Sequence, residues 1–487
     1  MASFLLGFVS GSLTTRFAPG WARLVRDKRL KDNAVRDGQG HLVAGLEGLS
    51  KEEQHQLMDE IKGCDLPYVN SIFSTSMNTV EETLDDLSPM EDVTTIKGTS
   101  TEDRKRWSAK GYELIAEGKV GILLLAGGQG TRLGSSEPKG CFDVGLPSGK
   151  SLFQLQAERI LKLQHLAADL VFGPGVGVRK PLRWYIMTSP FTDAETKKHF
   201  EKHSYFGLAK SQIKFFQQGF LPCLTTEGKV IMQTESKIAK APDGNGGVYI
   251  ALDKSGCLAD MKKHGVECID CYCVDNLLAK IGDPAFVGHC WEKDAQCGAR
   301  VLKKSSKSEK VGVFAMRRGA AEVVEYSEMP KGAAEGRDAN GDFLYPWGNI
   351  CMHYFTVPFL EYAKDRLSKA GKYHVAHKKI PSKDGDVQGV KLELFIFDTF
   401  PFADKVALFE VDRNEQFGPV KNAQGVDSPQ SARELLLSLH KRWIDEAGGE
   451  VDVEKVTFQG EISPLVSYGG EGLAFCKDTV FAPVDSS

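Results

Sequence analysis

The residues that could do chemistry begin with a glycine-rich segment, Gly127-Gly128-Gln129-Gly130-Thr131-Arg132-Leu133-Gly134. Four glycines in eight residues let the backbone turn sharply and approach a ligand without side-chain obstruction. Consecutive amide hydrogens can then cradle phosphate oxygens or base edges. The spacing is neither the G-x-G-x-x-G of a dinucleotide fold nor a Walker loop, because no G-K-[ST] ends it. Arg132 and the pair Pro138-Lys139 follow within a few residues. A glycine loop with two cations beside it suggests a triphosphate site whose charge is met by side chains as well as amides. Asp275 closes an apolar run further along. Ligands gather at the carboxyl ends of strands in open α/β sheets, so an acid there is well placed, although it could equally cap a helix Asn276–Ile281. Cys268, Cys271 and Cys273 could suggest a metal, but no second Cys/His pair stands at ligand spacing, and they read as small core residues of a strand.

These groups need a scaffold, and the sequence supplies alternating strands and helices. Val120–Ala126 is a continuous apolar run bounded by glycines, which reads as a buried parallel strand. The glycine loop follows it, then a long helix from about Ser151 to Ala168. Trp184–Met187 reads as a strand, Thr192-x-x-Glu195 as a capping box opening a helix, and Ile213–Phe216 as a strand. Gly247–Lys263 reads as one helix leading into a strand Val266–Val274, and Val311–Met316 with Ala321–Tyr326 as a strand pair. The pattern predicts a mixed, mainly parallel α/β sheet flanked by helices. Residues 1–115 are charged and helix-favouring, with Ser50-Lys51-Glu52-Glu53 as an N-cap and first turn, and a last helix covers Pro429–Glu446.

Composition narrows the partners. The chain has 487 residues and a formal net charge of -4, so no overall basic field attracts nucleic acid or an anionic membrane. No run of 18 apolar residues occurs, which predicts no stable membrane insertion. Eleven scattered cysteines, an odd number, fit a reduced intracellular protein, and a cytoplasmic location is expected. Residues 1–26 contain no acid, three arginines and the apolar patch Phe4–Val9. They are weakly transit-like, leaving organelle targeting as the alternative to an attached amphipathic extension.

The run L-A-G-G-Q-G-T-R-L-G at 125–134, with E-P-K-G at 137–140, resembles the signature of eukaryotic UDP-N-acetylhexosamine pyrophosphorylases. The similarity continues in F-F-Q-Q-G at 215–219, A-P-D-G-N-G-G at 241–247, V-D-N at 274–276, V-V-E-Y-S-E at 323–328, G-N-I at 348–350, K-L-E-L-F-I-F-D at 391–398 and P-V-K-N at 419–422. It covers roughly Leu66 to the end, and the first sixty residues depart from the family pattern. The resemblance implies a Rossmann-like nucleotidyltransferase domain over 116–424, after an N-terminal extension and helical region (1–115) and before a small C-terminal domain (425–487). The first sixty residues are expected to be dispensable for chemistry.

Residue roles follow from the same resemblance. Gly127, Gly128 and Gly130 would hold uridine and phosphate, and Gln218 and Gly244 would help read the uracil. Asn245, Glu325 and Asn349 would bind the sugar, with Phe395 and Phe397 lining its acetamido side. Arg132, Lys139, Lys391 and Lys421 would meet the phosphates, and Asp275 would hold Mg²⁺, for which Mn²⁺ could substitute. Residue type alone is compatible with other roles: Gln218 as a core amide, Asn245 as a turn residue, the lysines as solvated charges, and both phenylalanines as core.

The implied reaction joins UTP and an N-acetylhexosamine 1-phosphate into a UDP-sugar and pyrophosphate. A phosphate oxygen attacks the α-phosphorus in line. No general base is needed, because the attacking group is already an anion, and the task is to position two polyanions that repel each other. The alternatives are a pyrophosphorylase for another sugar, such as glucose 1-phosphate, and a catalytically silent nucleotide-sugar-binding homologue. Oligomeric state is not legible.

Overall fold

The structure is a computed structural model that describes residues 19–78, 86–329, 332–370, 373–451 and 460–481. The transit-like patch Phe4–Val9 and Arg16 lie outside the described residues, whereas Arg23 and Arg26 fall on a helix, Pro19–Arg36. The chain forms two compact units, each assembled from separated stretches.

The larger unit comprises Thr79–Gly219, Pro242–Lys372 and Glu393–Ser487. Its sheet contains β1 (Leu87–Pro89), β2 (Val93–Thr94), β3 (Val120–Leu125), β4 (Arg183–Thr188), β5 (Ile213–Gln217), β6 (Cys268–Cys273), β7 (Cys297–Lys303), β8 (Val313–Arg317), β9 (Ala320–Val324), β10 (Trp347–Thr356) and β11 (Val406–Glu410). The main path runs β2-β11-β7-β10-β6-β3-β4-β5, with β8 branching from β10 and itself pairing β1 and β9. Every neighbour on that path is parallel except β10, which runs antiparallel to both β6 and β7. β8 and β9 form the expected antiparallel pair, with Val313 opposite Val324.

All six residues of β3 are buried, because helices cover both faces of a parallel sheet. The helix Leu152–Phe172 buries Phe153, Ala157, Ile160 and Leu163 against this core. Helices Thr101–Ala116 and Pro284–Glu292 cross at two glycines: a Cβ on Gly288 would lie 1.9 Å from the Trp107 carbonyl oxygen, and one on Gly111 2.0 Å from that of Pro284. The C-terminal helix Pro429–Glu446 caps at Ser428 and packs Leu436 and Leu437 beside Leu152, Leu155, Leu277 and Leu278.

Three local expectations are corrected. The segment Gly247–Lys263 is two helices, Val248–Lys254 and Cys257–Lys263, because Gly256 turns left-handed at φ +71°. Thr192 makes no side-chain cap for the helix Asp193–Lys202; its Oγ1 accepts the Ser189 amide at 3.0 Å instead. Residues 276–281 are turns and not a helix, so Asp275 caps nothing there.

The smaller unit comprises Met1–Asn78, Phe220–Ala241 and Tyr373–Leu392. Helices Pro19–Arg36, Lys51–Lys62 and Leu66–Met77 accompany a three-stranded sheet ordered His374–Ser382, Gly385–Glu393, Leu224–Thr225. Ser50 and Glu53 close a reciprocal capping box, as expected. Gln39, 2 % exposed, donates to the Gly228 carbonyl and accepts the Val230 amide, which ties the N-terminal helices to the 220–241 stretch. Among the described residues no helix is long and apolar enough to cross a membrane.

Candidate active site

The glycine loop leaves the carboxyl end of β3 and folds back on itself. Gly130 donates to the Glu137 carbonyl at 2.9 Å, and the Lys139 amide donates to that of Gly128 at 3.2 Å. The returning segment therefore brings Lys139 back to Gly128, just past the carboxyl end of β3, after a proline that fixes the preceding backbone. Gly127 packs close to Gln218: a Cβ there would sit 2.2 Å from Gln218 Oε1, so a larger residue would displace that amide. Ser189 Oγ donates to the Gly127 carbonyl at 2.9 Å, and the Gln218 amide donates to that of Thr188. Gly127, Ser189 and Gln218 thus converge where β3, β4 and β5 end. Arg132 lies exposed on the 3-10 turn Thr131–Leu133.

A second wall comes from residues 243–247 against 394–398. The Leu394 amide donates to the Asp243 carbonyl (2.8 Å), and the Gly246 amide donates to the Leu394 carbonyl (2.9 Å). Gly244 has φ +86°, and a Cβ on it would lie 2.1 Å from Leu394 O, so only glycine fits. Asn245 Oδ1 accepts the Ile396 amide at 2.9 Å, leaving its Nδ2 within 4.0 Å of Cys351 Sγ. The rings of Phe395 and Phe397 are 5.2 Å apart.

Asp243 is nine-tenths buried, and its Oδ1 has no hydrogen-bond partner among the described residues. Burial pushes its carboxyl up to about 6, against the opposing pull of a hydrogen bond from its own backbone amide and of Lys254.

Beside the second wall lies a cleft of about 690 Å³ lined by Asn245, Asp275, Glu325, Asn349, Phe397 and Lys421, among others. Asn349 Oδ1 accepts the Cys351 amide (3.1 Å) and His353 Nε2 (2.9 Å). His353 is fully buried and burial pushes it down to about 3, so it stays neutral; with Oδ1 as acceptor, Nε2 carries the proton. Both contacts use the amide oxygen, which leaves Asn349 Nδ2 for a ligand. A Cβ on Gly312 would lie 2.7 Å from Glu325 Oε1, and the Asn349 amide donates to the Gly312 carbonyl, so the acid and the amide are neighbours.

Lys139 Nζ stands 3.9 Å from Asp275 Oδ2, with both side chains about one-sixth exposed. That contact joins the glycine loop, which does not line the cleft, to the cleft itself. The Asp275 carbonyl accepts the Val420 amide at 2.8 Å. The next residue, Asn276, is 3 % exposed and clamps the same segment: its Oδ1 accepts the amides of Gly418 (2.9 Å) and Leu278 (3.2 Å), and its Nδ2 donates to the Gln416 carbonyl (2.8 Å). Lys421 follows this clamp and is exposed, its amide donating to Asp427 O. Lys391 belongs to the smaller unit, on Gly385–Glu393. Sequence reasoning missed the clamp by Asn276 and the placement of Cys351, although V-D-N and G-N-I both pointed to the segments concerned.

Cys268 and Cys271 are fully buried in β6, and all eleven thiols are free. Among the described residues no three His, Cys, Asp or Glu side chains gather as a metal cluster.

The family model described as UTP--glucose-1-phosphate uridylyltransferase matches residues 68–474. The chain is 48% identical over 473 residues to UDP-N-acetylglucosamine diphosphorylase 1 of Arabidopsis thaliana, covering 94% of this chain and 92% of that one. It is 37% identical over 472 residues to the UDP-N-acetylglucosamine pyrophosphorylase of Saccharomyces cerevisiae, covering 92% and 96%. The solved uridine diphosphate N-acetylglucosamine pyrophosphorylase of Trypanosoma brucei, in complex with an inhibitor, superposes with a TM-score of 0.82 at 33% identity, covering 95% of this chain and 99% of that one.

Proposed function

This chain belongs to the UTP--glucose-1-phosphate uridylyltransferase family, and from that premise we propose that it makes UDP-N-acetylglucosamine and pyrophosphate from UTP and N-acetylglucosamine 1-phosphate. It is a nucleotidyltransferase. The observation that carries the reading is the cleft at the carboxyl end of β6, where two carboxylates, two amides, a phenylalanine and Lys421 gather, and where Asp275 meets Lys139 of the glycine-loop segment.

In this reading the amides of Gly127, Gly128 and Gly130, with Gln218 and Gly244, hold the uridine end, and Arg132 and Lys139 meet the triphosphate. The sugar lies against Phe395 and Phe397, with Asn245, Glu325 and Asn349 as hydrogen-bond partners. The sugar phosphate attacks the α-phosphorus in line, and pyrophosphate leaves. Lys421 offsets the charge that builds up. The work of these residues is positioning and electrostatic stabilisation, which suits a set of cations and glycines with no nucleophile–base pair.

Asp275 is the residue that would hold Mg²⁺, or Mn²⁺ in its place. A single hard carboxylate at the cleft fits such an ion, because Mg²⁺ takes one or two carboxylates and completes its octahedron with phosphates and water. When bound, the ion offsets phosphate charge.

Pyrophosphate release from UTP and Mg²⁺ with N-acetylglucosamine, N-acetylgalactosamine and glucose 1-phosphates, side by side, tests the reading. A clear preference for the N-acetylhexosamines is expected, and equal efficiency with glucose 1-phosphate overturns it. A cytoplasmic location completes the proposal, supported by the eleven free thiols. A tagged full-length chain found inside an organelle would contradict it.

A further inference from the structure

Four of the eleven cysteines are only half-buried, and two of those four, Cys273 and Cys351, share the active-site cleft. Strands β6 and β10 pair antiparallel through Thr356 opposite Cys268, Phe355 opposite Ile269, Tyr354 opposite Asp270 and His353 opposite Cys271. The pairing ends there, and Cys351 and Cys273 stand two residues beyond it on the two strands, both lining the cleft.

At Cys351 the strand leaves its extended path, with φ +55°, a conformation uncommon for a residue with a Cβ. The Cys351 thiol beside it, and burial, push the Cys273 thiol well above its usual range. Lone active-site thiols are common in reduced proteins. Two neighbouring thiols in one cleft, each two residues along the chain from a proposed ligand, are a different arrangement.

We propose that Cys273 and Cys351 are a reversible oxidation site whose disulfide shuts the cleft to substrate. The consequence for turnover rests on the proposed roles of Asp275, Asn349 and Asn245. Asp275 lies two residues after Cys273, and Asn349 two residues before Cys351. Asn245 Nδ2 reaches the Cys351 sulfur. A covalent bridge fixes all three in an arrangement set by sulfur geometry. The oxidant is a hydroperoxide. It transfers one oxygen to the first thiol, giving a sulfenic acid and an alcohol, or water from hydrogen peroxide. The second thiol then displaces water from that sulfur, losing its proton, and the S–S bond forms. A dithiol reductant reverses the step by exchange.

The test exposes the full chain to hydrogen peroxide, removes the excess with catalase, and measures pyrophosphate release and non-reduced peptide masses. The expected result is a rate about tenfold lower or less, restored by dithiothreitol, together with one linked peptide pair holding Cys273 and Cys351. Cys351→Ala and Cys273→Ser should each keep most of their own reduced rate under the same treatment, and prebound UDP-N-acetylglucosamine should slow the linkage. Absence of the linked pair, or loss in either variant as fast as in the parent, overturns the proposal. If the reduced protein turns over no sugar 1-phosphate, the functional reading is what fails, and the peptide masses still decide whether the thiols pair.

Discussion

Replacing Asn276 by alanine tests whether Lys421 is held in place by the clamp after β6. The side chain makes four hydrogen bonds in a buried setting: two accepted, from Gly418 and Leu278, and two donated, to the Gln416 carbonyl and to the weak acceptor Met352 Sδ. Truncation strands the three backbone partners, and each unsatisfied buried polar group costs about 1–3 kcal/mol, so the ceiling is about 9 kcal/mol. The realised loss should be near the lower end, about 3 kcal/mol, because water can enter the space left behind and two backbone bonds remain. Those are Leu277 N to Gly418 O and Val420 N to Asp275 O, which keep the segment attached but no longer fix its register. A displacement of about 1 Å in a positioned group costs roughly a hundredfold in rate. Turnover at saturating substrates should therefore fall by about two orders of magnitude, with little change in KM for the sugar phosphate. Pyrophosphate release reads the rate, and urea unfolding reads the stability. The decisive measurement is the double variant with Lys421→Ala. If Asn276 acts through Lys421, the pair is no slower than Lys421→Ala alone. Multiplying losses, or a wild-type rate in Asn276→Ala, would refute the reasoning.

Lys139→Ala should cut turnover by about a hundredfold or more with the fold intact, and an unchanged rate would make it an ordinary surface lysine. Asp275→Asn should raise the Mg²⁺ concentration needed for half activity with little change in unfolding free energy; since Asp275 caps no helix, wild-type metal dependence would mean the ion is held elsewhere. Asp243 gives a pH signature. Its carboxyl, pushed up to about 6 in the fold, titrates near 3.9 when unfolded. The folded chain therefore holds a proton that the unfolded chain releases, and stability falls as pH rises through roughly 4 to 6, by about 3 kcal/mol in total. Asp243→Asn should match the parent near pH 4 and be the more stable at pH 8 in urea titrations; equal stability at pH 8 would be a failure. A chain starting at Lys51 loses buried Ala34, Leu42 and Leu46, each leucine worth about 1.5–3 kcal/mol, so the smaller unit should melt earlier and be cut faster by protease. Parent-like resistance would show that those helices are dispensable.

The sequence made the framework legible where a local signal was strong. The β3 run, the capping box at Ser50 and the helix Pro429–Glu446 need only apolar content and end signals. The helix break at Gly256 escaped, because apolar residues continue on both sides and one glycine inside a helical pattern is often tolerated. Thr192 escaped for a different reason: a capping motif does not reveal that a nearby backbone amide, here Ser189, will compete for the same oxygen. The gathering of Asn245, Asp275, Glu325, Asn349 and Phe397 was expected from family resemblance and not from spacing. Phe397 is 6 % exposed and reads as core on any periodic test, yet one edge of it reaches the cleft. The meeting of Cys273 and Cys351 in one cleft depends on the pairing of two strands some eighty residues apart in the chain, which no local pattern encodes.

The interrupted path of the smaller unit has a consequence for how the protein is made. Its helices lie within the first 78 residues, but their partners at 220–241 and 373–392 are translated much later. Gln39 finds Gly228 and Val230 only once the second stretch emerges, and Tyr68 meets Tyr373 only after the third. At a ribosomal rate of about 10 residues per second, the apolar faces of Leu57, Ile61 and Val69 wait roughly half a minute for their sheet. During that interval the larger unit can begin to collapse from β3 to β5, whose strands are neighbours in sequence. The nascent chain therefore carries an unsatisfied hydrophobic head while its centre is already folding, a state that calls for chaperone protection until residue 392 is out.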